Sequence, residues 1–141
     1  MIKEKSLFAF LGEVSPLNIL LVDDDMASQY VITKNLGLLN RNLDLCDSAH
    51  DAIRHAQRKN YDLIIVDLNM PVINGFELTK TLKITSQCNG SNPKVIGTTV
   101  MDHPLLPTLV MYSEVDDYII KSADYGDLKE KIVNLCYLHQ N

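Results

Sequence analysis

The stretch Tyr61–Gly75, YDLIIVDLNMPVING, decides the fold. It opens with Leu63-Ile64-Ile65-Val66, an apolar, β-branched run too short for a helix. Such a run reads as a strand buried on both faces, as in parallel sheets. It ends on a carboxylate, Asp67, and Asn69, Met70-Pro71 and Asn74-Gly75 then turn the chain into a new helical pattern. In an open α/β sheet the ligand crevice lies beyond the carboxyl ends of the strands. An Asp in that place is presented to solvent from a rigid platform. A strand-ending Asp can also simply cap its loop, and it is a second acidic cluster upstream that tips the reading towards chemistry.

Working outward, Asn18–Val22 (NILLV) is another buried run, and it ends in Asp23-Asp24-Asp25. Three adjacent carboxylates repel one another and are costly without a cation. Asp25 reads as a solvated carboxylate in the first turn of the helix that follows. Downstream, Lys94–Thr99 (KVIGTT) ends on two hydroxyls and Asp117–Ile120 (DYII) ends on Lys121. Leu43–Cys46 alternates and reads as a short further strand. Helical patterns separate these runs: Ala27 to about Leu38, Ala49–Lys59 capped by Ser48, about Phe76 to Ile84, and Tyr125–His139. Ser86–Asn92 reads as a polar loop. Pro104–Tyr112 holds two prolines and no charge, with Pro107 suited to a first helical turn. Strand–helix alternation repeated five times predicts a five-stranded parallel sheet with right-handed crossovers and helices on both faces. The polar strand ends, Asp23/Asp24, Asp67, Thr98/Thr99 and Lys121, then fall on one edge of that sheet.

A chain of 141 residues is long enough for one domain with a full core. Hydrophobic content of 46% and charged content of 22% suit a soluble globular protein. A net charge of −5 argues against a nucleic-acid surface, which needs clustered Lys and Arg. Cys46, Cys88 and Cys136 lack metal spacing and read as reduced thiols of a cytoplasmic protein. No run is long enough to span a membrane, and Leu7–Leu11, flanked by Glu4 and Glu13, is too short for a signal segment. Residues 1–16 form an N-terminal extension, where Phe8, Leu11 and Val14 recur at helical spacing. A short amphipathic helix that packs or self-associates is the expectation there.

Carboxylates gathered at one rim attract a hard, oxygen-seeking cation, and Mg²⁺ fits because it keeps waters that a phosphate can replace. A hydroxyl and an ammonium beside one carboxylate can receive the oxygens of a phosphoryl group. The carboxylate itself can serve as nucleophile and form an acyl phosphate.

These residues carry a resemblance. NILLVDDD, YDLIIVDLNMPVINGFEL, VIGTT and VDDYIIK are similar to the first, third, fourth and fifth strand segments of the receiver domains of two-component response regulators. The likeness covers about Leu17–Leu138. It implies a flavodoxin-like topology for a receiver domain at 17–141 and a phosphorylation switch rather than an enzyme. It further implies Asp67 as phosphoacceptor, and Asp23, Asp24, Asp67 and the backbone carbonyl of Asn69 as Mg²⁺ ligands. Lys121 would pair with the phosphoryl group, and Tyr118 falls at the aromatic switch position. The switch hydroxyl stays open: family spacing from Lys121 points to Thr99, and counting from Pro93 points to Thr98. The implied donor is a histidine kinase or phosphotransfer protein. No output domain follows the last helix, so a stand-alone or excised receiver is expected.

Three departures stand out. Ser122 replaces the family's proline after the Lys, which favours a trans bond by about 3 kcal/mol. Glu114 stands where a glycine is common. The uncharged Pro104–Tyr112, with Tyr118 and the last helix, reads as a surface for a downstream partner or self-association. These departures keep a rival reading in play, a phosphorylation-independent interaction module on the same fold. A phosphate-monoester hydrolase would want a second Asp where Asn69 stands.

Overall fold

The computed structural model describes residues 16–37, 39, 41–122 and 125–138. The extension expected at the N-terminus therefore lies outside the described residues, apart from Pro16. Five strands, β1 (Leu17–Val22), β2 (Arg41–Cys46), β3 (Leu63–Asp67), β4 (Lys94–Thr99) and β5 (Asp117–Ile120), pair in parallel in the order β2-β1-β3-β4-β5. This is the flavodoxin-like order, with its switch point between β1 and β3. Both strands flanking that point are almost wholly buried.

The pleat sorts each apolar run into two cores. Ile19, Leu21, Leu63, Ile65 and Ile96 face α1 (Met26–Asn35) and α5 (Leu128–Val133). Leu20, Val22, Ile64, Val66 and Val95 face α2 (Ala49–Arg58), α3 (Gly75–Cys88) and α4 (Leu106–Met111). A strand with helices on both sides can spare no polar position. That is why β1 and β3 are continuous apolar runs and why their first polar residues mark the rim.

Several element bounds differ from the sequence expectation. Helix α1 ends at Asn35, and Leu36 and Gly37 form a turn in which Leu36 N donates to Ile32 O. Its buried residues are Ser28 and Ile32, while Tyr30 is exposed. Strand β2 starts at Arg41 because the whole run pairs with β1 from Leu17↔Arg41 onward. Helix α3 continues through Ser86 to Cys88, into the stretch expected to be a polar loop. Within it Thr79, Thr81 and Thr85 donate their hydroxyls to carbonyls four residues back. Ile84 is exposed there.

The last helix does not begin at Tyr125, which sits at φ 48 before α5. Beyond α5 a π-helical turn, Asn134–Leu138, adds a residue to the turn and rotates the apolar face. Cys136 is buried as a result, and Leu138 is exposed.

Candidate functional site

Four strand ends converge at the rim. Asp23 follows β1, Asp67 ends β3, Thr99 ends β4 and Lys121 follows β5. Lys121 crosses the rim: its Nζ donates to Asp23 Oδ2 at 2.9 Å and to Asp67 Oδ2 at 3.2 Å. Asp23 is fully buried and Asp67 nearly so, whereas Asp24 is exposed. Carboxylate oxygens of Asp23, Asp24 and Asp67 lie within 4.8 Å of one another.

Local structure aims each group. Asp23 Oδ1 accepts from Asp25 N at 2.9 Å, and Asp67 Oδ1 accepts from Asn69 N at 2.8 Å. Asp25 is the N-cap of α1 rather than a residue of its first turn, accepting from Ala27 N and from Ser28 Oγ. These hydrogen bonds hold the Asp25 carboxyl below the usual range, that from Ser28 most strongly.

Gly75 lets α3 start against the loop after β3. A Cβ there would stand 2.5 Å from Leu68 Cα and 2.7 Å from Asp67 O.

The two threonines part company. Thr99 Oγ1 donates to Asn69 Oδ1 at 2.6 Å and accepts from Met101 N at 3.2 Å. The Thr98 hydroxyl is buried and finds no hydrogen-bond partner among the described residues. Asn69 is exposed, with its side chain turned to Thr99 and its amide to Asp67. Tyr118 lies back from the rim, half-buried beside Ile120 on the α2–α4 face of the sheet.

Charge at the rim is unbalanced, since one ammonium faces two carboxylates with a third nearby. Burial pushes the Asp23 carboxyl up, a rise that the Asp25 amide and Lys121 oppose and the charge of Asp67 reinforces. For Lys121 burial acts downward, but contacts with Asp23 and Asp67 outweigh it and hold the ammonium above its ordinary range. Surplus negative charge on hard oxygens fits a divalent cation such as Mg²⁺, and it is the physical test these residues pass.

Sequence reading missed Ser28 and Tyr125. Ser28 Oγ accepts from Lys121 Nζ at 3.2 Å. Burial pushes the Tyr125 phenol up, against a hydrogen bond with Ser28. The available signal for Ser28 was its place three residues after Asp25, inside the cap of α1.

At the side of the domain, Leu106 and Val110 of α4 are buried, while Leu105, Leu109, Met111 and Tyr112 are exposed. Among the described residues no helix is long and apolar enough to cross a membrane.

Comparison with known proteins gives a consistent picture. The profile of the response regulator receiver domain family matches residues 19–133. The chain is 28% identical over 114 residues to the CAI-1 autoinducer sensor kinase/phosphatase CqsS of Vibrio cholerae, covering 81% of this chain and 16% of that protein. It is 27% identical over 79 residues to the response regulator sskA of Aspergillus fumigatus, covering 56% of this chain and 9% of that one. It thus spans only a small part of either relative.

The response regulator TrrA of Thermotoga maritima, solved with Mg²⁺ and BeF, superposes with a TM-score of 0.71 and 28% identity, covering 84% of this chain and 98% of that one. A receiver domain from Saccharomyces cerevisiae, solved with the histidine phosphotransfer protein upstream of it, shares the fold. Its TM-score is 0.74 at 22% identity, covering 88% of this chain and 92% of that one.

Proposed function

This chain belongs to the response regulator receiver domain family of two-component signalling, and from that premise we propose that it is a phosphorylation switch with Asp67 as the acceptor. Receiver domains of this family are signalling switches. The proposed donor is a phosphohistidine on a histidine kinase or phosphotransfer protein. In the transfer the donor's P–N bond breaks, its imidazole keeps the electron pair, and an Asp67 Oδ–P bond forms.

The observation that carries this reading is the bridge from Lys121 Nζ to both Asp23 and Asp67. It gathers residues from opposite ends of the chain around one partly accessible carboxylate. Asp23, Asp24, Asp67 and the Asn69 carbonyl are the proposed ligands of Mg²⁺, which when bound offsets phosphoryl charge. Lys121 is placed to move from a carboxylate oxygen to a phosphoryl oxygen, exchanging one charge-assisted contact for another. Thr99 is placed to turn its hydroxyl from Asn69 to the same group. Releasing the Thr99–Asn69 bond costs about 1 kcal/mol net, and a bond to a dianionic phosphoryl recovers more.

A state with Thr99 withdrawn differs from the present one beside Ile120, the strand partner of Thr99 two residues beyond Tyr118. Such a difference biases a pre-existing equilibrium of the signalling face. The exposed side chains of α4, together with Tyr118 and the last helix, form the proposed surface for a downstream partner or self-association. The receiver domain is assigned to 17–141, with 1–16 as an extension.

The test is incubation with acetyl phosphate and Mg²⁺ followed by intact mass. One acid-stable, base-labile phosphoryl that disappears in Asp67→Asn is the expected result. No adduct on the wild-type chain overturns the switch and leaves an interaction module. Steady release of phosphate without an adduct points to a hydrolase.

A further inference from the structure

Lys121 carries its charge on a four-carbon stem, and two carboxylates alone leave that stem free to swing. Side-chain contacts tie the described residues that follow it. Tyr125 N donates to Ser122 Oγ at 3.2 Å, and Tyr125 takes φ 48, a backbone that L side chains rarely adopt. Its ring is only 3% exposed and packs in the core between the sheet, α1 and α5.

Ser28 is 9% exposed, donates to Asp25 Oδ2 at 2.9 Å and accepts from Lys121 Nζ at 3.2 Å. The three protons of the ammonium are therefore directed at Asp23, Asp67 and Ser28.

We propose that Ser28 is a positioning residue that holds the Lys121 ammonium at the acceptor carboxylate. A hydroxyl suits the task because it directs the ammonium without cancelling its charge. A carboxylate in its place would add negative charge to a rim that already carries a surplus. The contact is anchored through Asp25 to the cap of α1. Its use in phosphoryl transfer rests on the reading of Asp67 above; its geometry does not.

The experiment is chosen so that the two can fail separately. Reductive methylation with formaldehyde and cyanoborohydride, followed by peptide mass analysis, measures Lys121 reactivity in the full chain. Lys83 is the internal control: its side chain is 12% exposed, as is that of Lys121, and it is paired with Asp116 far from the rim. In Ser28→Ala, Lys121 should label roughly tenfold faster, the effect of one lost hydrogen bond to a charged group. Lys83 should not change, and Ser28→Thr should restore the wild-type rate.

In parallel, Ser28→Ala should slow phosphorylation by acetyl phosphate with the half-saturating Mg²⁺ concentration unchanged. Unchanged Lys121 labelling overturns the proposal. So does a parallel rise at Lys83, failure of Thr to rescue, or faster labelling with no slowing of a wild-type reaction that does occur. If the wild-type chain takes up no phosphoryl, the switch falls and the labelling alone decides whether Ser28 positions Lys121.

Discussion

Replacing Lys121 with Met removes the ammonium from a rim of carboxylates and keeps most of the aliphatic stem. The Lys121 side chain is 12% exposed, that of Asp23 0% and that of Asp67 7%. Deleting one partner of such a pair strands a buried charge and costs about 3 kcal/mol at neutral pH, the low end for buried pairs because the rim is open at Asp24. With an unfolding entropy near 2.1 cal/mol/K per residue over the about 120 described residues, the midpoint of thermal unfolding should fall by roughly 12 °C.

The deficit should depend on pH, and its sign follows from the two groups. The Lys121 pKa is raised, so its contribution is complete below the unfolded value and is lost as pH climbs through the folded one. Wild type and variant therefore converge at strongly alkaline pH. Asp23 already titrates above its ordinary range because it is buried, and losing Lys121 raises it further. A raised carboxyl favours the folded state when protonated and penalises it when ionised. The deficit is thus largest at neutral pH and shrinks as pH falls through the folded pKa of Asp23. Urea unfolding followed by circular dichroism at pH 7 and about pH 4.5 measures this. Added Mg²⁺ should recover part of the loss at pH 7, since it supplies the missing positive charge. A deficit of equal size at both pH values, or one below about 1 kcal/mol at pH 7, would refute the claim that Lys121 compensates buried charge.

Two further outcomes test other parts of the reading. Gly75→Ala forces a Cβ against Leu68 Cα and the Asp67 carbonyl, so it should cost about 2 kcal/mol and slow phosphorylation; a wild-type melting temperature would show that the α3 start is not tight. Leu109→Asp changes an exposed residue of α4 and should keep the fold while weakening partner binding or self-association, read by size-exclusion chromatography and binding. Leu106→Asp, at a buried position on the same helix, should unfold the domain. Unchanged size and binding for Leu109→Asp would make the α4 surface inert.

Much of the fold was legible because parallel strands buried on both faces must be continuous apolar runs, and β1, β3 and β4 are such runs. Each run ends at the sheet edge, where polar groups can pair with one another, so the first polar residue after it marks the rim. Asp23, Asp67 and Lys121 could be named from that rule with no knowledge of their distances. Helix ends were less legible, since they depend on side chains bonding backbone. The threonine ladder of α3, the turn at Leu36-Gly37 and the π-helical turn after Val133 leave little trace in an apolar pattern.

The sequence by itself determined the strand–helix alternation, the strand-end carboxylates and lysine, and the uncharged character of α4, because burial and solvation act on each residue locally. Only the tertiary structure decided which threonine turns its hydroxyl to Asn69, since adjacent residues in β4 point to opposite faces and pairing with β3 sets which is which. It alone also brought Ser28 to Lys121. That contact joins α1 to the residue after β5, and proximity created by packing a helix on one face of a sheet has no signature in spacing along the polymer.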